Sequence, residues 1–203
     1  MNNVGIIQGR LSPPIGGFQE CPDDWEREFD LISTLCLDHI EWIVTANRFD
    51  SNPLFHSDLK RYASRISSIC CDNLVSEKVF NKAFLEQQLI PICLSANANN
   101  IHSLTIPLLD GSRITDRTSG KHLVDSIRGI GKDFPNITFS FEIESSLEVV
   151  MYIMRMDDSF SYTYDTGNMA AFGADHNAFI NSLGSKISTI HLKDKSSKSM
   201  TVI

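Results

Sequence analysis

The stretch TYDTGN, residues 163–168, ends an apolar run on a carboxylate and follows it at once with a glycine. The run begins at Phe160 (FSYTYD) and is short, aromatic and β-branched, the composition of a strand. Asp165 therefore has two readings. It caps the next segment or closes an Asx turn with Gly167, or it is the polar end of a strand and holds something. The rest of the chain bears on the choice, because a carboxylate at the end of one strand means more if other strands end the same way.

Working outward, similar runs begin at Asn3 (NVGIIQGRL), His39 (HIEWIV), Ile66 (ISSICC), Ser103 (SLTIPLL), Ile137 (ITFSFEI) and Ile187 (ISTIHL), giving seven strand candidates. Amphipathic stretches separate them. DDWEREFDLISTLCL opens on acids and places Trp25, Phe29, Ile32 and Leu35 at helical spacing. KVFNKAFLEQQLIPICLSANAN and KHLVDSIRGIGKDF behave likewise, and LEVVMYIMRM is apolar nearly all round, which predicts a well-buried helix. Repeated β-α order implies a parallel sheet covered by helices. The strand starts recur about every 31 residues, the period of a (β/α)8 TIM barrel of about 250 residues. A doubly wound open sheet is the competitor, but GIIQGRLSPPIGG after the first strand lacks the spacing of a dinucleotide fingerprint. The expected fold is one α/β domain over residues 1–203, a (β/α)8 barrel of about seven units with strand 8 missing. SSKSMTVI is too short for an eighth unit, though MTVI can be read as a stub of strand. A fragment, a natural truncation and an open seven-stranded variant all fit this count.

Bulk properties narrow the function. The chain has 203 residues, 42% of them hydrophobic, and a net charge of −7. Its longest basic cluster is KDKSSK, which argues against nucleic acid, and an acidic chain gains nothing from an anionic membrane. Cysteines 21, 36, 70, 71 and 93 fit neither a zinc ribbon nor a disulfide framework. With no signal-peptide pattern and no membrane-length apolar run, the expectation is a cytoplasmic protein with reduced thiols.

Active sites of such barrels lie at the C-terminal ends of the strands. There the sequence offers Gln8 and Arg10, then Glu41 and Trp42, Asp72 and Asn73, Asp110, Glu142 and Glu144, Asp165 and Asn168, and last His191, Lys193 and Asp194. Taken singly, each has a plain structural reading: a cap, a rim charge or a core histidine. Jointly, three successive strands end in Glu142, Asp165 and His191. Carboxylates and imidazole suit Mn²⁺, Mg²⁺, Co²⁺ or Zn²⁺, and a cation lets several acids share one mouth.

At these residues the chain resembles the xylose isomerase-like TIM barrels, a group of sugar-phosphate isomerases and epimerases that also includes the endonuclease IV type of DNA repair enzyme. The resemblance rests on GIIQGRLS, LDHIEWI with NPL after it, IPLLDGS, FEIESS, YDTGNMAAFG and IHLKDK, spread from residue 4 to residue 195. It implies a divalent metal on Glu142, Asp165 and His191, with Glu144 as an alternative to Glu142; a fourth ligand, on strand 8, has no counterpart. It implies ketose–aldose isomerisation or epimerisation of a small sugar or sugar phosphate by proton transfer through an enediolate, with Glu142 as ligand and acid/base. The candidate catalytic groups are Glu142 and Glu41. Arg10, Lys193 and Asp110 are candidate substrate contacts, and Trp42 is the face a sugar would lie against. The repair branch requires added histidines, whereas this chain has Glu41, Asp72, Asn73 and Asn168 at those points. The alternative is a barrel remnant that binds sugar or assembles without chemistry, since open strand edges invite association with a second copy.

Overall fold

The computed structural model describes residues 3–14 and 20–193. Asp194 and the SSKSMTVI segment lie outside them. Seven strands run in the order of the chain: β1 (Gly5–Ile7), β2 (His39–Ile43), β3 (Ile66–Cys70), β4 (Ser103–Leu108), β5 (Thr138–Ile143), β6 (Ser161–Asp165) and β7 (Ile187–His191). Every neighbouring pair is parallel. The helices are α1 (Trp25–Thr34), α2 (Lys82–Ala98), α3 (Arg117–Gly131), α4 (Leu147–Met154), α5 (Thr166–Phe172) and α6 (His176–Leu183).

The sheet curls. Neighbouring strands lie about 4.8 Å apart, so in a flat sheet β2 and β7 would be about 24 Å apart. Yet Glu41 on β2 and His191 on β7 are in hydrogen-bond contact at 2.7 Å. The concave side is therefore a barrel interior, and the molecule is an incomplete (β/α)8 barrel with seven described strands.

Period-two alternation sorts the side chains. Tyr162 and Tyr164 of β6 face outward to the helices, Tyr164 meeting His176 and Phe179 of α6. Thr163 and Asp165 face inward. The interior carries a belt of small hydroxyls in place of the usual bulky branched residues. Ser140 contacts Thr163 at 2.7 Å and Ser188 at 3.2 Å, and Ser188 reaches Ser161 at 3.0 Å. These hydroxyls satisfy one another below the acids at the strand ends.

Four of the helices meet their sequence expectation in position, and two features do not. The crossover from β2 to β3 is built from two 3-10 turns, Pro53–Phe55 and Ala63–Arg65, with no α-helix between them. Asn52 caps the first turn, its side chain accepting from Leu54 N at 3.0 Å, and Leu54, Leu59 and Tyr62 are buried there. Helix α4 is less deeply buried than its apolar sequence predicts: Val150, Ile153 and Met154 are buried, while Val149, Met151 and Tyr152 are only partly covered. One helix face meets the barrel and the other meets the rim of its neighbours.

The loop after β1 is held from below. Gly9 takes a left-handed φ of 85°, which glycine adopts without steric cost. The buried carboxylate of Glu28 on α1 then accepts from Gly9 N (2.9 Å), Leu11 N (3.2 Å) and Ser12 Oγ (2.9 Å). Arg10 is carried between these anchors and is exposed. Glu28→Ala leaves three donors without their acceptor, so we expect a loss of about 1–3 kcal/mol in urea unfolding. Loss of amide-exchange protection at Gly9 and Leu11 checks the cause.

Candidate metal centre and barrel mouth

Asp165 has two jobs, one for each oxygen. Its Oδ1 accepts from Asn168 N at 2.7 Å and so caps helix α5. Its Oδ2 turns to the barrel axis, 3.8 Å from His191 Nδ1 and 2.5 Å from Lys193 Nζ. Gly167, expected in a turn, lies inside helix α5. The helix begins directly after the strand, so the cap residue is also the strand's last residue.

Glu142 lies one residue from the end of β5, the next strand over. Its Oε2 lies 3.5 Å from His191 Nδ1, and its Oε1 accepts from Asn168 Nδ2 at 2.6 Å. Glu142, Asp165 and His191 each offer a ligand atom, and those atoms lie within 4.8 Å of one another. All three residues are buried. Two carboxylates and one imidazole nitrogen, facing one point from successive strands, form a donor set that fits a divalent cation. Glu144, the alternative ligand, is instead paired with Arg113 at 2.5 Å.

His191 is gripped on its other side. Its Nε2 donates to Glu41 Oε2 at 2.7 Å, while Glu41 Oε1 accepts from Ser68 Oγ (2.9 Å) and Thr105 Oγ1 (2.7 Å). Burial pushes the imidazole down, but the charges of and bonds to Glu41 and Glu142 outweigh it and hold the pKa up to about 10. Burial likewise pushes Glu41 up, and His191, Thr105 and Ser68 bring it below the ordinary carboxylate value. Glu142 is also lowered on balance: burial raises it, while His191, Lys193 and Asp165 pull it down. Asp165 is raised by burial and by Glu142, with Lys193 opposing.

The structure brings some of the predicted residues together and not others. Glu142, Asp165, His191 and Lys193 meet at one place, with Glu41 beneath His191. Trp42 does not join them. It is fully buried, donates Nε1–H to Asn52 Oδ1 at 3.0 Å and packs edge-on against Trp25 of α1 at 5.3 Å. The reason is alternation: one residue after the inward Glu41, it points outward into the helix layer. Asp110 is exposed at the end of β4, in a left-handed backbone conformation with φ 45°. Asn73 turns away to Gln88 of α2 at 3.1 Å. Ser68, Thr105 and the Asn168 amide were not picked out from sequence as supports of the site. Asn168 had a legible signal, three residues beyond Asp165, where the first turn of a helix faces back over the strand end.

Asp72, half-buried after β3, is raised to about 6 by burial and by the charges of Glu142, Glu20 and Asp110, with Lys193 offsetting them. A carboxylate raised on folding opposes stability once it ionises. The penalty is absent below the unfolded value near 3.8, grows as pH rises to about 6, and is constant above. Asp72→Asn is therefore expected to stabilise the protein by about 3 kcal/mol at pH 7 and by almost nothing at pH 3.5. Urea unfolding at both pH values measures it; an effect that does not change between them would mean that the folded chain does not raise Asp72.

No family model matches the chain, and no curated protein sequence matches it. Solved structures do. The IolI protein with a bound zinc atom aligns at a TM-score of 0.67 and 16% identity, over 95% of this chain and 73% of that one. A sugar phosphate isomerase/epimerase from Parabacteroides distasonis aligns at 0.66 and 12%, over 100% and 82%. The 3-keto-D-glucoside 4-epimerase YcjR from E. coli aligns at 0.62 and 12%, over 95% and 79%. No described helix is long and apolar enough to cross a membrane. With the curled parallel sheet and these neighbours, the chain has the fold of the xylose isomerase-like TIM barrels.

Proposed function

We propose that the chain is a divalent-metal-dependent isomerase or epimerase of a small sugar or sugar phosphate, working by proton transfer through an enediolate. The observation that carries this is the convergence of Glu142, Asp165 and His191 at the C-terminal ends of three successive strands, where barrels of this class keep their chemistry. The sugar isomerase and epimerase neighbours support the substrate class, and the zinc of the IolI neighbour supports a metal. A cation there supplies fixed positive charge to polarise a carbonyl or grip adjacent hydroxyls. The donor set suits Mn²⁺, Mg²⁺, Co²⁺ or Zn²⁺.

Glu142 is the proton acceptor in this reading. It is held below the ordinary carboxylate value, so it is ionised at neutral pH and ready to take a proton. The Asn168 amide aims one of its oxygens. Arg10 and Asp110, both exposed at the mouth, and Lys193 are the proposed contacts for substrate hydroxyls or phosphate. All five cysteines are free thiols, which supports a reducing compartment, the cytoplasm.

A second reading has one observation behind it. The Lys193 ammonium sits 2.5 Å from Asp165 Oδ2 and itself supplies positive charge to the cluster, as in a sugar-binding module that needs no metal.

Two measurements separate these readings. With Mn²⁺ at about 100 times its Kd, binding is expected to stabilise the native state by about 2.7 kcal/mol, which raises Tm by about 5–10 °C for a chain of this size. The same addition to Asp165→Asn is expected to give little shift. In assays over ketoses, aldoses and their phosphates, Glu142→Gln is expected to lower turnover by about 10²–10⁴-fold. Turnover unchanged in both variants sinks the proposed site.

A further inference from the structure

We infer that Glu41 is a positioning residue: its carboxylate accepts the Nε2 proton of His191 and so presents Nδ1 to Glu142 and Asp165. The inference rests on the metal reading above. It differs from an acid/base role for Glu41, and the geometry is what separates the two.

Glu41 is 5% exposed, and both of its oxygens are in use. Oε1 takes the hydroxyl protons of Ser68 on β3 and Thr105 on β4, and Oε2 takes Nε2–H from His191 on β7. A base must have an oxygen within reach of the proton it abstracts. Here the side chain is committed on both sides and buried in the barrel wall, with His191 between it and the two acids. The hydroxyls on one oxygen fix the direction in which the other points.

His191 needs such a fixture. It is the last residue of β7, whose one described sheet partner is β6. Thr166 ties the backbone there, its Oγ1 lying 3.1 Å from His191 O and 3.2 Å from Lys193 N, but those bonds place the strand end and leave the ring to turn about its side-chain torsions. The two ring nitrogens are not equivalent, and the one that holds a metal is chosen by the bond the other makes. Metal-ligating histidines commonly donate their second N–H to a carboxylate, and removal of that partner weakens metal affinity by about 10–100-fold. In this chain the carboxylate comes from β2, across the interior from the histidine, so metal binding depends on the curl of the sheet.

The test uses the full chain with Mn²⁺ alone as probe, free Mn²⁺ being read by electron paramagnetic resonance. Glu41→Leu is expected to weaken Mn²⁺ binding by about 10–100-fold. Glu41→Gln keeps an amide oxygen for Nε2–H and turns its N–H groups to the Ser68 and Thr105 oxygens, so it is expected to stay within about fivefold of wild type. Equal losses in the two variants, or none in either, overturn the proposal. Should Glu41→Leu fail to fold, Thr105→Val serves beside Glu41→Gln. It removes one of the bonds that aim the carboxylate, with an expected loss of about threefold, and full affinity counts against the inference. ¹⁵N-histidine NMR gives a readout independent of metal. Slow solvent exchange of the His191 Nε2 proton in wild type and Glu41→Gln, made fast in Glu41→Leu, supports the positioning role; fast exchange in wild type overturns it. If wild type binds no Mn²⁺, the metal reading fails, and the NMR result alone decides whether Glu41 orients the ring.

Discussion

A carboxylate on the second strand and an imidazole on the seventh meet inside the curled sheet at 2.7 Å. Much of the site depends on that contact. It requires the sheet to bend through most of a circle, because strands five places apart do not otherwise touch. It satisfies two buried polar groups that would each be costly if left alone. It also turns the remaining nitrogen of His191 toward Glu142 and Asp165. Without it, the three candidate ligands would still end neighbouring strands, but the histidine would have no fixed aim.

The mouth above is built for charge. Burial and the charges of Glu142, Glu20 and Asp110 raise Asp72, burial and Glu142 raise Asp165, and Lys193 opposes both shifts. Such crowding works against the stability of the folded chain. Proteins keep an arrangement of this kind where function needs it, and a cation is the natural complement to it. Beneath the acids, the belt of serine and threonine hydroxyls replaces a packed aliphatic layer. That exchange gives up some dispersion and apolar burial for a polar layer, in which Ser68 and Thr105 are the hydroxyls that hold a carboxylate, that of Glu41.

Asp165 shows how a local reading and a site reading can both hold. As a helix cap it uses one oxygen, and as a candidate ligand it uses the other. The two roles support each other, since the cap fixes the side chain and brings Asn168 to Glu142. Glu28 works in the same way at the first strand, where one buried carboxylate gathers the loop that carries Arg10.

The amino-acid sequence by itself determined the strands, their order and the period of the barrel, because period-two runs bounded by turn residues are local signals. It also placed Glu142, Asp165 and His191 at equivalent ends of successive strands. What it left undecided was direction. Glu41 and Trp42 are adjacent in HIEWIV, and only the register of the folded sheet shows that the first faces the interior and the second the helix layer. The choice between Glu142 and Glu144 was also tertiary, since Arg113, 31 residues from Glu144, takes its carboxylate. The Glu41–His191 bond joins positions 150 residues apart. No local pattern encodes a contact of that separation, because it exists only once the sheet has curled.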